Sequence, residues 1–600
     1  MATTVWLIYL QFIVIYAGYP TEYTDKLIVK FQENHLEIVE KCMAQLQYVF
    51  VDKIIDGLYV FEKSDGIAGE LLDEQLQKIK DHCDGKIEDI EQSRYMFPLV
   101  PIKANDEDDG NAHHNYLIED CHFLYHETHG ISQAWSSGYS GKGVVIGMIN
   151  VGFPVLLPDS LPINISLSHD FGGYAGGSHI AKMLSNETSI AKIPIETCNF
   201  CDVGVAYNAE FVDLEIGAMF NKTHSSVSDD DMFARALVYK QLQIDIYACE
   251  WKFSFHLNPI DIAIQSSILS GVKKGRGGLG SIYVLPSGHA GDGFFNDTFV
   301  ISVGSVVSNQ THHSDLIINS ATLVSAIITD GYKARKGSSL CFGPNMATGM
   351  IAGMIALIIQ ANHILSIRDI KQILIQSSTH LGLDFSNEFR PNGAGNYFHP
   401  SLGFGYPNAS QMIEFAKSWK RLPMQYNYRY KMDNKHEASF HSFMVSGKKY
   451  VHKIEEVVVQ IKRITFWKRF TLFLISPNGT LSFLYESPII PTDHWSRTPV
   501  SRWFMSTHFW GENSHGIWKL HCLGCSFMSA VLVIQGLEQS DKDISSRETS
   551  SPKNDSISFV VILIPSVIIY ISIIIVLLIC FRIRQSKYSF LSVRPRSSLT

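Results

Sequence analysis

The chain has 600 residues, 46% of them hydrophobic and 18% charged, too long for one ordinary domain and balanced like a globular protein with added apolar weight. Its formal net charge of -8 recommends no nucleic-acid partner. The 24 histidines and ten cysteines fall in no Cys/His cluster with zinc spacing.

Residues 1–18 carry an apolar run from Val5 to Tyr16, followed by Ala17 and Gly18. That pattern reads as a secretory signal peptide, although it lacks a basic start. Residues 19–100 mix strand-like stretches ("KLIVKF", "DGLYVFEK") with helical ones ("HLEIVEKCMAQL", "ELLDEQLQKIKDHC") and predict a small α+β domain. A polar acidic link, "KANDEDDGNAHH", follows.

Residues 115–425 alternate. "GVVIGMIN", "AEFVDLEIGAM", "DIYACEW", "GSIYVLPSG" and "FVISVGSV" read as strands. "DDMFARALVYKQL", "DIAIQSSILSGVKK", "MATGMIAGMIALIIQAN" and "IRDIKQILIQSS" read as the helices among them. Strand then helix, repeated, predicts a doubly wound parallel sheet of α/β class. Residues 435–537 change character, with short strands and turn signals that predict an all-β sandwich.

Residues 538–556 form a polar stalk. Residues 557–581 are apolar without a charge, long enough for one membrane-spanning helix. Arg582, Arg584 and Lys587 follow at once, which places the tail 582–600 in the cytoplasm and the bulk of the chain in the lumen or outside the cell. The tail holds "YSFL" (Tyr588–Leu591), a match to a short sorting signal, and Cys580 at the membrane edge is a candidate for palmitoylation. Asn-x-Ser/Thr sequons at Asn164, Asn186, Asn221, Asn296, Asn309, Asn408, Asn478 and Asn554 suit a glycoprotein of the secretory route. Nine cysteines lie outside the apolar segment, so pairing leaves at least one over. Cys522 and Cys525 are too close for an easy loop disulfide within a strand and stay unassigned.

Several segments occur in the order of one family. "SSGYSGKGVVIGMINVG", "CDVGVAYNAEF", "GRGGLGSIYVLPSG", "MIAGMIALIIQANHILSIRDIKQI" and "GFGYPNAS" resemble the kexin/furin-like proprotein convertases of the subtilisin (peptidase S8) superfamily. "SPNGTLSFL" and "FMSTHFWGENSHGIWKL" resemble their P (Homo B) domain, and the first unit resembles their prodomain. The resemblance implies a subtilisin-like fold and an endopeptidase that cuts after paired basic residues using Asp, His and Ser, with an Asn in the oxyanion hole.

Residue by residue, the chemistry departs from that pattern. The place of the acid is Asn150, and a neutral amide cannot stabilise an imidazolium. The nearest candidate for the base is His179 in "GGSHIAKML". His289 stands where the oxyanion Asn would follow "PSG". Asn345 in "GPNMATG" takes the place of the serine, and an amide nitrogen has no nucleophilic lone pair. Asn is also a favoured N-cap, which gives Asn345 a structural reason to start the helix. The pocket wall reads "EWKF", with Glu250 and Trp251. Phe255 replaces an acid that pairs with substrate arginine, while Asp292 matches another. The resemblance also implies a Cys201–Cys341 disulfide, and calcium sites whose loops are altered here. The prodomain end, "EQSRYMFPLVPIK", has no basic pair to cut.

The reading is a membrane-anchored, convertase-like protein, inactive as a protease, that binds a protein or peptide ligand. The alternative is an active serine-type endopeptidase with a displaced nucleophile, for which Ser338 and Ser339 are the candidates.

Overall fold

The computed structural model describes residues 23–65, 70–96, 98–99, 128–150, 164, 166–171, 204–220, 225–249, 252–253, 262–288, 297–307, 318–328, 344–383, 386–447, 449–487 and 500–538. The signal-like segment, stalk, apolar run and tail lie outside these residues. No helix among the described residues is long and apolar enough to cross a membrane.

The first unit is built as its sequence predicts. Strands β1 (Tyr23–Lys30), β2 (Tyr48–Ile55), β3 (Leu58–Lys63) and β4 (Asp89–Met96) form an antiparallel sheet, with helices α1 (Leu36–Gln45) and α2 (Asp73–His82). Alternation along β1 divides its side chains. Leu27 and Val29 join Val39 and Met43 of α1 in one core, while Ile28 points into a different one. A Cys42–Cys83 disulfide ties the end of α1 to the residue after α2.

The central unit runs α3 (Ile131–Ser136), β5 (Val145–Asn150), β6 (His169–Asp170), β7 (Glu210–Glu215), β8 (Gly217–Phe220), β9 (Ser225–Asp229), α4 (Asp230–Val238), β10 (Ile246–Cys249), α5 (Ile262–Gly278), β11 (Ile282–Pro286), β12 (Val300–Val307), β13 (Thr322–Ile328), α6 (Pro344–Ala361), α7 (Ile367–Gln376) and α8 (Ala409–Lys417). Seven strands make one sheet in the order β13-β12-β11-β10-β5-β7-β6, every pairing parallel. Both faces are covered, which is why most of its strands are apolar. On one face lies α6, apolar on all sides and buried as such a helix must be. On the other lie α4 and α5.

The layer of α4 and α5 is also the floor of the first unit. Ile28, Ile54, Leu58 and Val60 from the first sheet share one core with Met232, Phe233, Ile264 and Ile268. The sheet itself continues across, because β4 pairs with β9 and β9 with β8. The Glu91 carboxylate accepts the Ile262 amide (3.0 Å) at the start of α5. Ser93 Oγ and the Arg94 amide donate to Asp230 at the start of α4. Lys26 meets Asp229 (2.6 Å) and Asp231 (3.4 Å), and Arg235 meets Asp52 (2.7 Å). Burial works against the Lys26 ammonium, but the Asp231 and Asp229 carboxylates outweigh it and raise its pKa.

The third unit differs from the expected sandwich. It is one six-stranded antiparallel sheet, a half-barrel made of β14 (Tyr426–Ala438), β15 (Phe440–Val445), β16 (Val451–Ile475), β17 (Leu481–Glu486), β18 (Val500–Ser506) and β19 (Gly516–Glu538). The physical reason is two very long strands that bend. The β16–β19 register breaks between Phe466 and Thr471, and opposite that break Gly524 adopts φ 80°. The bend brings Cys522 and Cys525 together, and they are paired, a bridge that sequence spacing alone left unassigned.

Charge and apolar contact both fix this unit to the central one. Arg368 of α7 forms a two-pronged pair with Glu455 (2.5 and 2.8 Å). Lys371 is buried against Glu456 (2.5 Å) and the Thr298 carbonyl (2.6 Å). Ala321 packs with Val458, Met505 and Val533. Removing one partner of a buried pair strands the other. Lys371→Met is therefore expected to cost about 3–5 kcal/mol, and Lys371→Met with Glu456→Leu to recover most of it. Thermal unfolding of wild type and the two variants checks this.

Candidate functional site

In an open parallel sheet, ligands bind beyond the carboxyl ends of the strands. Asn150 is the last residue of β5, and its neighbour β10 ends at Cys249. Next in the sheet, β11 ends at Pro286, and Ser287 and Gly288 follow. The Ser287 amide donates to the Val303 carbonyl (2.6 Å), and Asn319 Nδ2 donates to the Gly288 carbonyl (3.0 Å), which fixes the turn. Helix α6 is the next element after β13 in the chain. Its first residue is Pro344, so Asn345 sits one residue inside the helix rather than at the cap. A proline suits the first helical position because its φ is preset and no N–H is lost there. The N-cap reading of Asn345 is corrected accordingly.

Beside Asn150 the sheet edge is acidic, which pattern reading missed. Asn150 pairs in register with Glu215, and Asp170 of β6 lies on the far side of Glu215. Asp213 and Glu215 are 5% and 6% exposed. Burial, then the Asp213 and Asp170 carboxylates, push the Glu215 carboxyl up to about 8. The signal was available: "FVDLE" places two carboxylates, two residues apart, in a strand otherwise read as fully apolar. His169 stacks on Tyr239 (4.9 Å), and burial lowers its pKa. Among the described residues no group of three or more His, Cys, Asp or Glu is spaced to hold a metal ion, so no calcium chemistry is assigned to them.

The segment read as the pocket wall is a strand. Lys252–Phe253 pairs antiparallel with Pro98–Leu99, from the end of the first unit, in the register Lys252–Leu99 and Phe253–Pro98. The chain therefore lays its own Pro98–Leu99 segment along Lys252–Phe253 as an added strand.

His179, His289, Glu250, Trp251, Phe255, Asp292, Cys201, Cys341, Ser338 and Ser339 lie outside the described residues, as do the sequons at Asn186, Asn221, Asn296, Asn309 and Asn554. Of the described sequons, Asn164 donates to Glu210, and Asn408 caps α8 through the Gln411 amide (3.1 Å) while packing against Gly130. Asn478 is exposed in the turn between β16 and β17.

The arrangement is that of a subtilisin-like sheet with a bound N-terminal unit and a C-terminal half-barrel. A serine protease of Aeromonas sobria superposes with a TM-score of 0.53 at 15% identity, over 66% of this chain and 89% of that one, a likeness of fold alone. The subtilase family model matches residues 299–406, and the proprotein convertase P-domain model matches residues 454–524. The chain thus carries a subtilase segment followed by a convertase P domain, and it is a distant homologue of the convertases. Neuroendocrine convertase 2 of Mus musculus is 27% identical over 438 residues, 65% of this chain and 66% of that protein. Proprotein convertase subtilisin/kexin type 6 of Homo sapiens is 29% identical over 433 residues, 65% of this chain and 43% of that protein. The match spans less than two thirds of either relative.

The raised Glu215 pKa has a signed consequence. Between the unfolded value of ~4.3 and about 8, the folded chain holds a proton that the unfolded chain releases, so stability falls as pH rises through that window. Glu215→Gln removes the titration. It is expected to flatten the profile from pH 5 to 8 and to stabilise the chain by ~2 kcal/mol at pH 8, read by thermal melts across pH.

Proposed function

We propose that this chain is a convertase-like pseudoprotease, anchored in a membrane of the secretory route and acting by binding protein rather than by cutting it. The observation that carries the reading is a pair of asparagines: Asn150 is the last residue of β5, and Asn345 lies in the first turn of α6. The resemblance puts the acid and the nucleophile at those two positions. A carboxamide there neither compensates an imidazolium nor attacks a carbonyl. Two further features support the reading. The added strand Pro98–Leu99 lies against Lys252–Phe253, so a substrate would have to displace the chain's own segment. The first unit ends without a basic pair and shares its core with α4 and α5, which favours its retention. The apolar run 557–581, with basic residues after it, supports the anchor.

The test is direct. The purified full chain and an Asn345→Ala variant are treated with a fluorophosphonate probe and a panel of basic-residue peptides, with and without calcium. Neither protein is expected to be labelled or to cleave. Labelling carried by the wild-type chain overturns the reading and sends the search to Ser338 and Ser339. On a reducing gel the mature chain is expected to keep residues 23–96 attached.

A further inference from the structure

In an antiparallel sheet packed on a core, the outward face is ordinarily polar. The P domain breaks this rule along one row. Phe440 of β15 lies opposite His521 of β19, His521 opposite Phe473 of β16, and Phe473 opposite Phe483 of β17. The ring centroids follow at 4.6, 4.8 and 6.1 Å, so four rings cross four strands in line. Burial and the Lys519 ammonium hold the His521 pKa below its usual value, which keeps the row uncharged at neutral pH. Around it Met444 and Leu523 remain 59% and 60% exposed, and Phe440 and Ile517 46% each. An apolar patch on the order of several hundred Å² on a folded surface marks a contact site.

We propose that this face is where two copies of the chain pair, sheet on sheet, about a two-fold axis through Phe473. The charges on the face carry the choice of occupant. Lys519 is exposed and pairs with Ile475, two residues past Phe473, on the β19 side. Glu486 is exposed and pairs with Thr471, two residues before Phe473, on the β17 side. Along β16 their partners stand two residues to either side of Phe473, with a one-residue bulge in β17 between Phe483 and Tyr485. An axis lying in the interface, through Phe473 and perpendicular to the line joining Lys519 and Glu486, sets each Lys519 against the other copy's Glu486. Self-complementarity of this kind is what an isologous contact requires. The four strands span roughly 15 Å at ~4.8 Å per strand.

The proposal is independent of whether the chain cuts peptides. The test is the mass of the purified full chain in detergent, by light scattering, across a concentration series. Wild type is expected to dimerise, and Phe473→Asp to weaken pairing about tenfold or more, as loss of a central anchor does. Lys519→Glu and Glu486→Lys are each expected to weaken pairing, and the two together to restore it. That rescue separates a lost contact from a lost fold, and near-ultraviolet dichroism of each variant gives a second check. A monomeric wild type, a dimer indifferent to Phe473→Asp, or a double variant no better than either single one overturns the proposal. So does a monomer whose Phe473→Trp emission shifts to the blue on adding phosphatidylcholine vesicles, which would assign the face to lipid.

Discussion

The helical layer of α4 and α5 is buried from both sides, and the arrangement of the N-terminal half depends on it. One side meets the parallel sheet through Val212, Leu214 and Tyr247, and the other meets the first unit through Ile28, Ile54, Leu58 and Val60. A helix layer that is apolar on both sides needs two covers. Removing the first unit would expose that second side. It would also leave Asp229 and Asp231 without Lys26, and the first amide of α5 without Glu91. The first unit is thus a structural layer of this molecule as much as an appendage to it.

That constraint explains the state of the sheet edge. With the first unit held in place, its trailing residues Pro98–Leu99 reach Lys252–Phe253 and add a strand there. The neighbouring end of the sheet carries a neutral Asn150 and a Glu215 whose carboxyl burial pushes up to about 8. The sheet depends on apolar strands and on α6, and neither requires a nucleophile.

The P domain follows a different logic. It is fixed to α7 by Lys371–Glu456 and Arg368–Glu455, and one side of its half-barrel faces away from the central unit with an aromatic row. Buried ion pairs add little net stability but fix one arrangement strongly, since any other would strand a charge. The outward row is then held at a set orientation, as a contact surface must be.

Much was legible in the sequence because it rests on local pattern. Apolar runs bounded by turns marked five of the seven parallel strands, β6 and β13 going unread, while helical periodicity marked α4 to α7 and the ordered motifs marked the superfamily and the P domain. Other features depend on residues distant in sequence and became visible only in three dimensions. The sharing of a core between Ile28 and Phe233 is one, and the extension of the first sheet through β9 and β8 is another. Gly524 is a single glycine in an apolar stretch, yet its φ of 80° lets one long strand turn where a sandwich was expected, and it brings Cys522 to Cys525. Phe440, Phe473, Phe483 and His521 come from four separate segments. Register alone aligns them, and register is set by the whole sheet rather than by any one strand. The sequence by itself determined the order of strand, helix and P-domain segments along the chain. The tertiary structure decided what surrounds them, because burial and strand pairing belong to the assembled chain.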